Sequence, residues 1–199
     1  MILVLFLDKN LTLTCHINET CRKAANAIRS IGRIPKYLTN ENLEGLVNGL
    51  VISRLDYCNS ILLPKRELDK LQRAQNTAAR LITGTKQYHH IKPALQKLQL
   101  LPVESRITFK IILITFKIFH GLSPAYVSSL LQEYHPPRSL RSSSKSLLTV
   151  PTMNSVTYGE RTFSFYAPTL WNTLPDSLKI CPKNIPISEI LFLVTRNII

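Results

Sequence analysis

The residues able to do chemistry are few and scattered. The four aspartates, Asp8, Asp56, Asp69 and Asp176, stand apart, and no two carboxylates adjoin in the chain. A paired-metal site needs clustered acids to hold its cations, so none is suggested. His89 and His90 are neighbours, but adjacent side chains point in different directions on a helix or a strand. They read as polar turn residues beside Tyr88. His16 lies beside Cys15, with Cys21 six positions on from Cys15. Three donors without a clear fourth make a poor zinc site. There is no phosphate-cradling glycine loop, no dinucleotide fingerprint and no nucleophile elbow. Neither an enzyme activity nor a cofactor is expected. Asp56 follows Arg54 on an apolar segment and is expected to form an ion pair with a neighbouring helix.

What the chain has in abundance is cations. Its 199 residues carry 25 Lys+Arg against 12 Asp+Glu, a net charge of +13. Residues 64–120 alone hold eleven basic and three acidic side chains (Glu67, Asp69 and Glu104), a net of +8. Such an excess suits a polyanionic partner, most often nucleic acid. Read at about 100° per residue, the cations fall into stripes. Arg66, Lys70, Arg73 and Arg80 share one side of a helix whose other side carries Leu68, Leu71, Ala74, Ala78 and Ile82. Arg106, Lys110 and Lys117 form a second stripe, on a helix otherwise made of Ile, Leu, Phe and Val. Arg22, Arg29 and Arg33 form a third, within about 40° of one another. A helix that buries one face often puts Lys and Arg on the other for solvation alone. The scarcity of acid beside these stripes favours phosphate contacts, which would be sequence-independent and salt-dependent.

Helices must position these side chains. The 3.6-residue period begins near Asn18 and runs through Ala24, Ala27, Ile28, Ile31 and Ile34 to Pro35. A second helix is expected from a cap at Asn40 to Cys58. A third opens at Pro64 and ends at Gly84, with Pro just inside the start and Gly just past the end. A short fourth covers 93–98, a fifth runs from Pro102 to Phe119 with Gly121 beyond it, and a sixth covers 124–133. Pro136 to Lys145 reads as a basic Pro/Ser linker carrying Arg138 and Arg141. After it, Leu147–Val150 reads as a strand. Phe163, Phe165, Tyr166, Leu170 and Trp171 crowd into a short aromatic-rich segment that must pack on something or, if exposed, mark a protein partner site. Pro186–Ile199 is a candidate final helix. At the start, Ile2–Leu7 reads as a strand without a neighbour to pair with.

The expected class is therefore mainly α: a helical bundle with an orphan N-terminal strand and a small mixed α/β C-terminal appendage. The expected division is a strand remnant at 1–14, a helical domain at 15–135, the linker at 136–146, the aromatic segment at 147–180 and a tail at 181–199. No stretch approaches the ~20 apolar residues of a membrane span. The four cysteines have neither zinc nor disulfide spacing and are expected as buried, reduced thiols. An intracellular location, nuclear or cytoplasmic, is expected, without secretion.

Several segments, in order, carry a resemblance. They are Ser53–Ser60 (SRLDYCNS), Leu71–Gly84 (LQRAQNTAARLITG), His90–Pro93, Leu100–Val103 and Phe119–Pro124. Arg138–Ser142, Tyr158–Arg161, Ala167–Pro168, Trp171–Asn172 and Leu174–Pro175 continue the series. The set resembles the region downstream of the polymerase palm in non-LTR (LINE-type) retrotransposon reverse transcriptases, over about residues 5–178. The resemblance implies that Leu5–Asp8 and His16–Ile17 correspond to the tail of the palm, and that the following helices are thumb-like. It implies a non-catalytic segment contacting an RNA or DNA template–primer backbone, the family's catalytic acids and endonuclease lying upstream. The chain departs from the family between Asn59 and Lys65, where it is about two residues shorter, and after Pro182, where the pattern dissolves.

Overall fold

A computed structural model describes residues 13–57, 64–135, 146–153 and 159–179. The chain divides into two compact units, with the boundary between Arg106 and Ile107, inside the span expected as one helical domain.

In the first unit, α1 spans Thr14–Ile31, α2 Asn40–Val47, α3 Ser53–Asp56, α4 Lys65–Thr83 and α5 Lys92–Lys97. The first turn of α6, Val103–Phe119, completes it. A short 3-10 turn at Pro35–Tyr37 follows α1, and one π-helical stretch, Asn48–Ile52, joins α2 to α3. Helix α1 begins four residues before the apolar period becomes clear. Its first turn is anchored by Leu13, His16 and Ile17, all buried. At α2 the cap is Thr39, not Asn40: the Thr39 hydroxyl accepts the Asn42 N–H at 3.3 Å. Asn40 is already the first helical residue. Helix α4 follows the expectation closely, entered at Pro64 and left at Gly84, whose φ of 65° suits a residue without a Cβ.

Helices α1 and α4 pack parallel. Thr14 reaches Glu67, Asn18 accepts from Lys70, and Gly32 lies against Leu81, so successive turns of one meet successive turns of the other. The inner sides bury Ala24 and Ile31 from α1, Leu71, Ala78 and Ala79 from α4, and Leu43, Val47 and Leu55 from α2 and α3.

Two glutamines of α4 tie down the start of α6. Gln72 Oε1 accepts the Val103 N–H at 2.8 Å, and Gln75 Nε2 donates to the Leu101 carbonyl at 2.8 Å. Gln75 is 0% exposed. A buried amide with its partners removed costs about 1–3 kcal/mol, so this clasp fixes where α6 starts.

The second unit holds the rest of α6, the single turn α7 at Ala125–Ser128, a 3-10 turn at Gly159–Arg161, α8 at Phe163–Thr173 and α9 at Asp176–Lys179. The sixth helix expected to Glu133 stops after one turn, because the chain extends to pair Glu133 with Leu148 in an antiparallel bridge. That bridge is all that forms of the strand expected at Leu147–Val150, and among the described residues there is no regular strand. Other groups take the hydrogen bonds a further strand would make. The Asn172 side chain accepts the Leu148 N–H at 3.0 Å and donates to the Leu148 carbonyl at 2.9 Å. The mixed α/β appendage is thus corrected to helix plus one bridge. The aromatic segment is itself helical as α8, with Pro168 buried inside it.

The core of this unit is Ile112 and Phe116 of α6 with Leu148, Trp171 and Leu174. Trp171 is 1% exposed, stacks on Phe119 with ring centroids 5.5 Å apart, and donates its indole N–H to the Ser146 carbonyl at 3.0 Å. The expected strand Ile2–Leu7, the residues 136–145 of the linker and the candidate helix Pro186–Ile199 lie outside the described residues. No described helix is long and apolar enough to cross a membrane.

Candidate nucleic-acid interface

The cations predicted for phosphate contact do not form equivalent stripes once the helices are packed. On α1, Thr14, Asn18, Cys21 and Gly32 mark the side that meets α4. Arg22 and Arg29 sit next to that side, facing away from the core, and both are exposed, as is Arg33 in the turn after α1. On α4, Lys70 and Leu81 face α1, and Arg66 and Arg73 lie just beyond them on the outward flank, also exposed. Parallel packing therefore brings two stripes, separated in sequence, to the same outward side of one helix pair. Packed helices lie about 8–10 Å apart, close enough for both rows to address one polyanion. Arg22–Arg29 covers about 10.5 Å along α1 and Arg66–Arg80 about 21 Å along α4.

Not every member is available. Arg22 holds Glu19 through two hydrogen bonds, at 2.7 and 2.8 Å, and this pairing drops the Glu19 carboxyl to a pKa of about 2. Lys70 pairs with buried Glu67 at 3.0 Å and reaches Asn18 at 2.8 Å, so it neutralises a carboxylate before it can meet a phosphate. Arg80 is half-buried and donates to the His89 carbonyl at 3.2 Å. Arg73 uses its Nε on the Asp69 carbonyl at 3.3 Å and keeps the rest of its guanidinium exposed. The side chains of Arg29, Arg33 and Arg66 make no hydrogen bond or ion pair within the described residues.

Arg106 is placed inward, which corrects the open seam expected on its helix. Its side chain is 12% exposed and meets Asp56 at 3.1 Å and Gln75 Oε1 at 3.3 Å. Burial pulls its proton affinity down and the Asp56 carboxylate opposes this. Here the ion pair expected of Asp56 is found. In the second unit Lys110 is half-buried and Lys117 exposed. Arg138 and Arg141 lie outside the described residues.

Cys21 sits where the two rows meet. Burial pushes its thiol up, while Lys70 and, more weakly, Arg73 pull it down. Cys21 is half-buried and Cys15 exposed, both as free thiols, so Cys15 is not the buried thiol expected. It falls on the outward flank of α1, in the same angular sector as Arg22. His16 is buried and turned elsewhere, and among the described residues no three His, Cys, Asp or Glu converge on a metal-sized site.

Past α4 the chain turns back on itself. The Thr83 and Thr85 hydroxyls share a hydrogen bond at 2.7 Å, and the His89 N–H donates to the Lys86 carbonyl at 3.1 Å. This turn, with Tyr88 and His89 exposed at its tip, ends the α4 row beside Arg80. From Lys70 to Val103 the chain contains no Asp or Glu. The sequence stripes passed over Gln72 and Gln75. The available signal was position: Gln75 falls opposite Arg66, in the middle of the apolar stripe, where an amide must be buried and partnered.

No protein-family model, no curated protein and no solved structure matches this chain.

Proposed function

We propose that this chain is a retrotransposon-derived, thumb-like helical module that binds the phosphate backbone of nucleic acid without sequence preference and performs no nucleotidyl transfer. One observation carries the binding: exposed Arg29 of α1 and exposed Arg66 and Arg73 of its partner, α4, lie on the same outward side, with Arg33 exposed in the turn that follows α1. Guanidinium groups suit phosphate because their planar donors bind it in pairs. The resemblance of the ordered motifs to the post-palm region of non-LTR reverse transcriptases supports the same reading, since a thumb grips the template–primer backbone.

The test is affinity for a primer–template duplex across a salt series. Log affinity is expected to fall linearly with log salt, with a slope of about 0.9 per phosphate neutralised. Replacing Arg29, Arg33, Arg66 and Arg73 together by Ala is expected to weaken binding at all sequences alike. It should also shallow the slope by up to about 0.9 for each arginine replaced, with helical content unchanged. A flat salt dependence, or no binding at low salt, overturns the proposal. A polymerase assay with Mg²⁺ and primer–template is expected to stay at background.

The alternative is a helical protein-interaction module, or a nonfunctional remnant without nucleic-acid binding, and the first of these draws on the Phe163–Trp171 cluster being exposed. Trp171 is instead taken up by the unit's own core, against Phe119. The side chain best able to anchor a partner is therefore occupied.

A further inference from the structure

Among the described residues Tyr37, Tyr88 and Tyr126 are largely exposed, and Tyr88, in the turn after α4, is the one with a second ring and a cation beside it. Tyr88 is 74% exposed. It is not a loose side chain on a loose loop. The His89 ring lies against it, tilted, with centroids 4.6 Å apart, and Lys86 Nζ lies over the Tyr88 ring, 5.9 Å from its centroid. The turn beneath them is fixed three times over. Gly84 leaves α4 in the left-handed region, Thr83 and Thr85 share a hydroxyl hydrogen bond, and the Arg80 guanidinium holds the His89 carbonyl. Arg80 belongs to the same α4 flank as Arg66 and Arg73. The rings therefore stand at the end of the cationic row, with Lys86 and Arg80 beside them.

An aromatic surface open to water, braced by a second ring and surrounded by cations with no acid nearby in the chain, has the chemistry of a base-stacking site. Every nucleobase offers a π-face, so stacking is sequence-tolerant, and the cations hold the adjoining backbone. A duplex keeps its bases stacked on one another and offers an aromatic side chain only its end. An unpaired base offers a whole face. We infer that Tyr88, braced by His89, is a stacking platform for an unpaired nucleobase of a single strand whose backbone runs along the Arg66–Arg73–Arg80 flank. This rests on the phosphate-binding function proposed above and adds to it the class of strand. The exposed Tyr88 ring supplies the stacking surface, and Lys86 supplies charge for the phosphates beside the base.

The experiment compares two probes, an oligothymidylate of about 16 nucleotides and a blunt duplex of the same length, on the full chain and three variants. Tyr88→Ala is expected to weaken oligothymidylate binding about 5- to 150-fold, the effect of losing one stacked base, and to leave duplex binding unchanged. Tyr88→Phe, which keeps the ring, is expected to bind like the parent. Tyr88→Trp supplies a direct readout, because the chain's one other tryptophan, Trp171, is buried. Its fluorescence should be quenched by oligothymidylate and not by an abasic strand of equal charge. Tyr88 is exposed, so these variants fold if the parent does, and circular dichroism checks it.

If both probes bind and Tyr88→Ala weakens neither, or weakens both equally, the platform is overturned and backbone binding stands. If neither probe binds the parent at low salt, the phosphate-binding function itself fails, and the platform with it. Quenching by the abasic strand as strong as by oligothymidylate also overturns stacking.

Discussion

Arg106 and Arg66 are chemically the same residue with opposite fates. Arg106 ends buried between Asp56 and Gln75, whereas Arg66 stands exposed, with no partner among the described residues. Removing one member of a buried pair leaves a charge without compensation, so substituting Arg106 would test folding and not binding. Lys70 carries the same warning through Glu67. Among titratable residues His16 has the clearest consequence. Burial holds its pKa below the ordinary 6.5, only partly offset by a hydrogen bond with the Tyr57 backbone, and the Lys23 charge adds to the lowering. A lowered folded-state value means that the unfolded chain takes up the proton first. The His16 contribution is therefore complete above pH 6.5 and is lost as pH falls below that toward the folded-state value. The unfolding free energy read from urea melts is expected to fall as pH drops below about 6.5, with a slope of at most about 1.4 kcal/mol per pH unit. His16→Phe should flatten that window. Glu19 does not contribute there, since its stabilisation is present above its ordinary 4.5 and is lost only toward about 2. An unchanged pH profile in His16→Phe would remove His16 as the cause.

At the scale of the element, helix ends show how local rules and their exceptions sit side by side. Helices α5 and α6 finish in the same motif. The Leu100 N–H returns to the Leu95 carbonyl at 2.9 Å, and the Leu122 N–H returns to the Lys117 carbonyl at 2.8 Å. Each requires a left-handed residue just before the returning donor. After α6 it is Gly121, at φ 68°, and after α5 it is Gln99, at φ 52°. Glycine adopts that region without the Cβ clash, so Gln99→Gly is expected to stabilise the first unit by about 0.5–1 kcal/mol. Gly121→Ala is expected to destabilise the second by about 1 kcal/mol. Denaturant melts of the two variants read both signs directly, and a loss of stability in Gln99→Gly would show that the Gln99 side chain contributes more than its backbone costs. The π-helical stretch at Asn48–Ile52 is an exception of another kind. The apolar spacing of Leu43, Val47, Val51 and Leu55 is read easily as one helix, yet one wider turn interrupts it while keeping all four buried.

At the scale of the whole molecule, binding and stability are expected to separate between the two units. The proposed contacts on α1 and α4, and Tyr88, all belong to the first unit. Trp171 is the centre of the second, and truncating a buried aromatic typically costs about 3–5 kcal/mol. Trp171→Ala is expected to lower the unfolding midpoint of the second unit while the salt-dependent affinity for duplex stays within about twofold of the parent. A fall in affinity parallel to the fall in stability would show that binding draws on the second unit as well.

The sequence by itself determined two helices and their ends, α4 from Pro64 to Gly84 and α6 from Pro102 toward Gly121, and put the α4 cations opposite its apolar stripe. Those follow from a 3.6-residue period and from the backbone limits of proline and glycine, which act within a few neighbouring residues. It failed at Leu147–Val150, where a β-like composition found only one bridge and a side-chain amide to pair with. Only the tertiary structure decided which cations are engaged and which are open. Asp56 and Arg106 are fifty residues apart, and Asn18 and Lys70 fifty-two. A stripe records which way a side chain leaves its own helix, but not what another helix places in front of it. The parallel packing of α1 on α4 joined two rows that the sequence shows separately. The turn after α4 gave Tyr88, which the sequence shows only as one residue of a polar turn, a fixed place at the end of one of them.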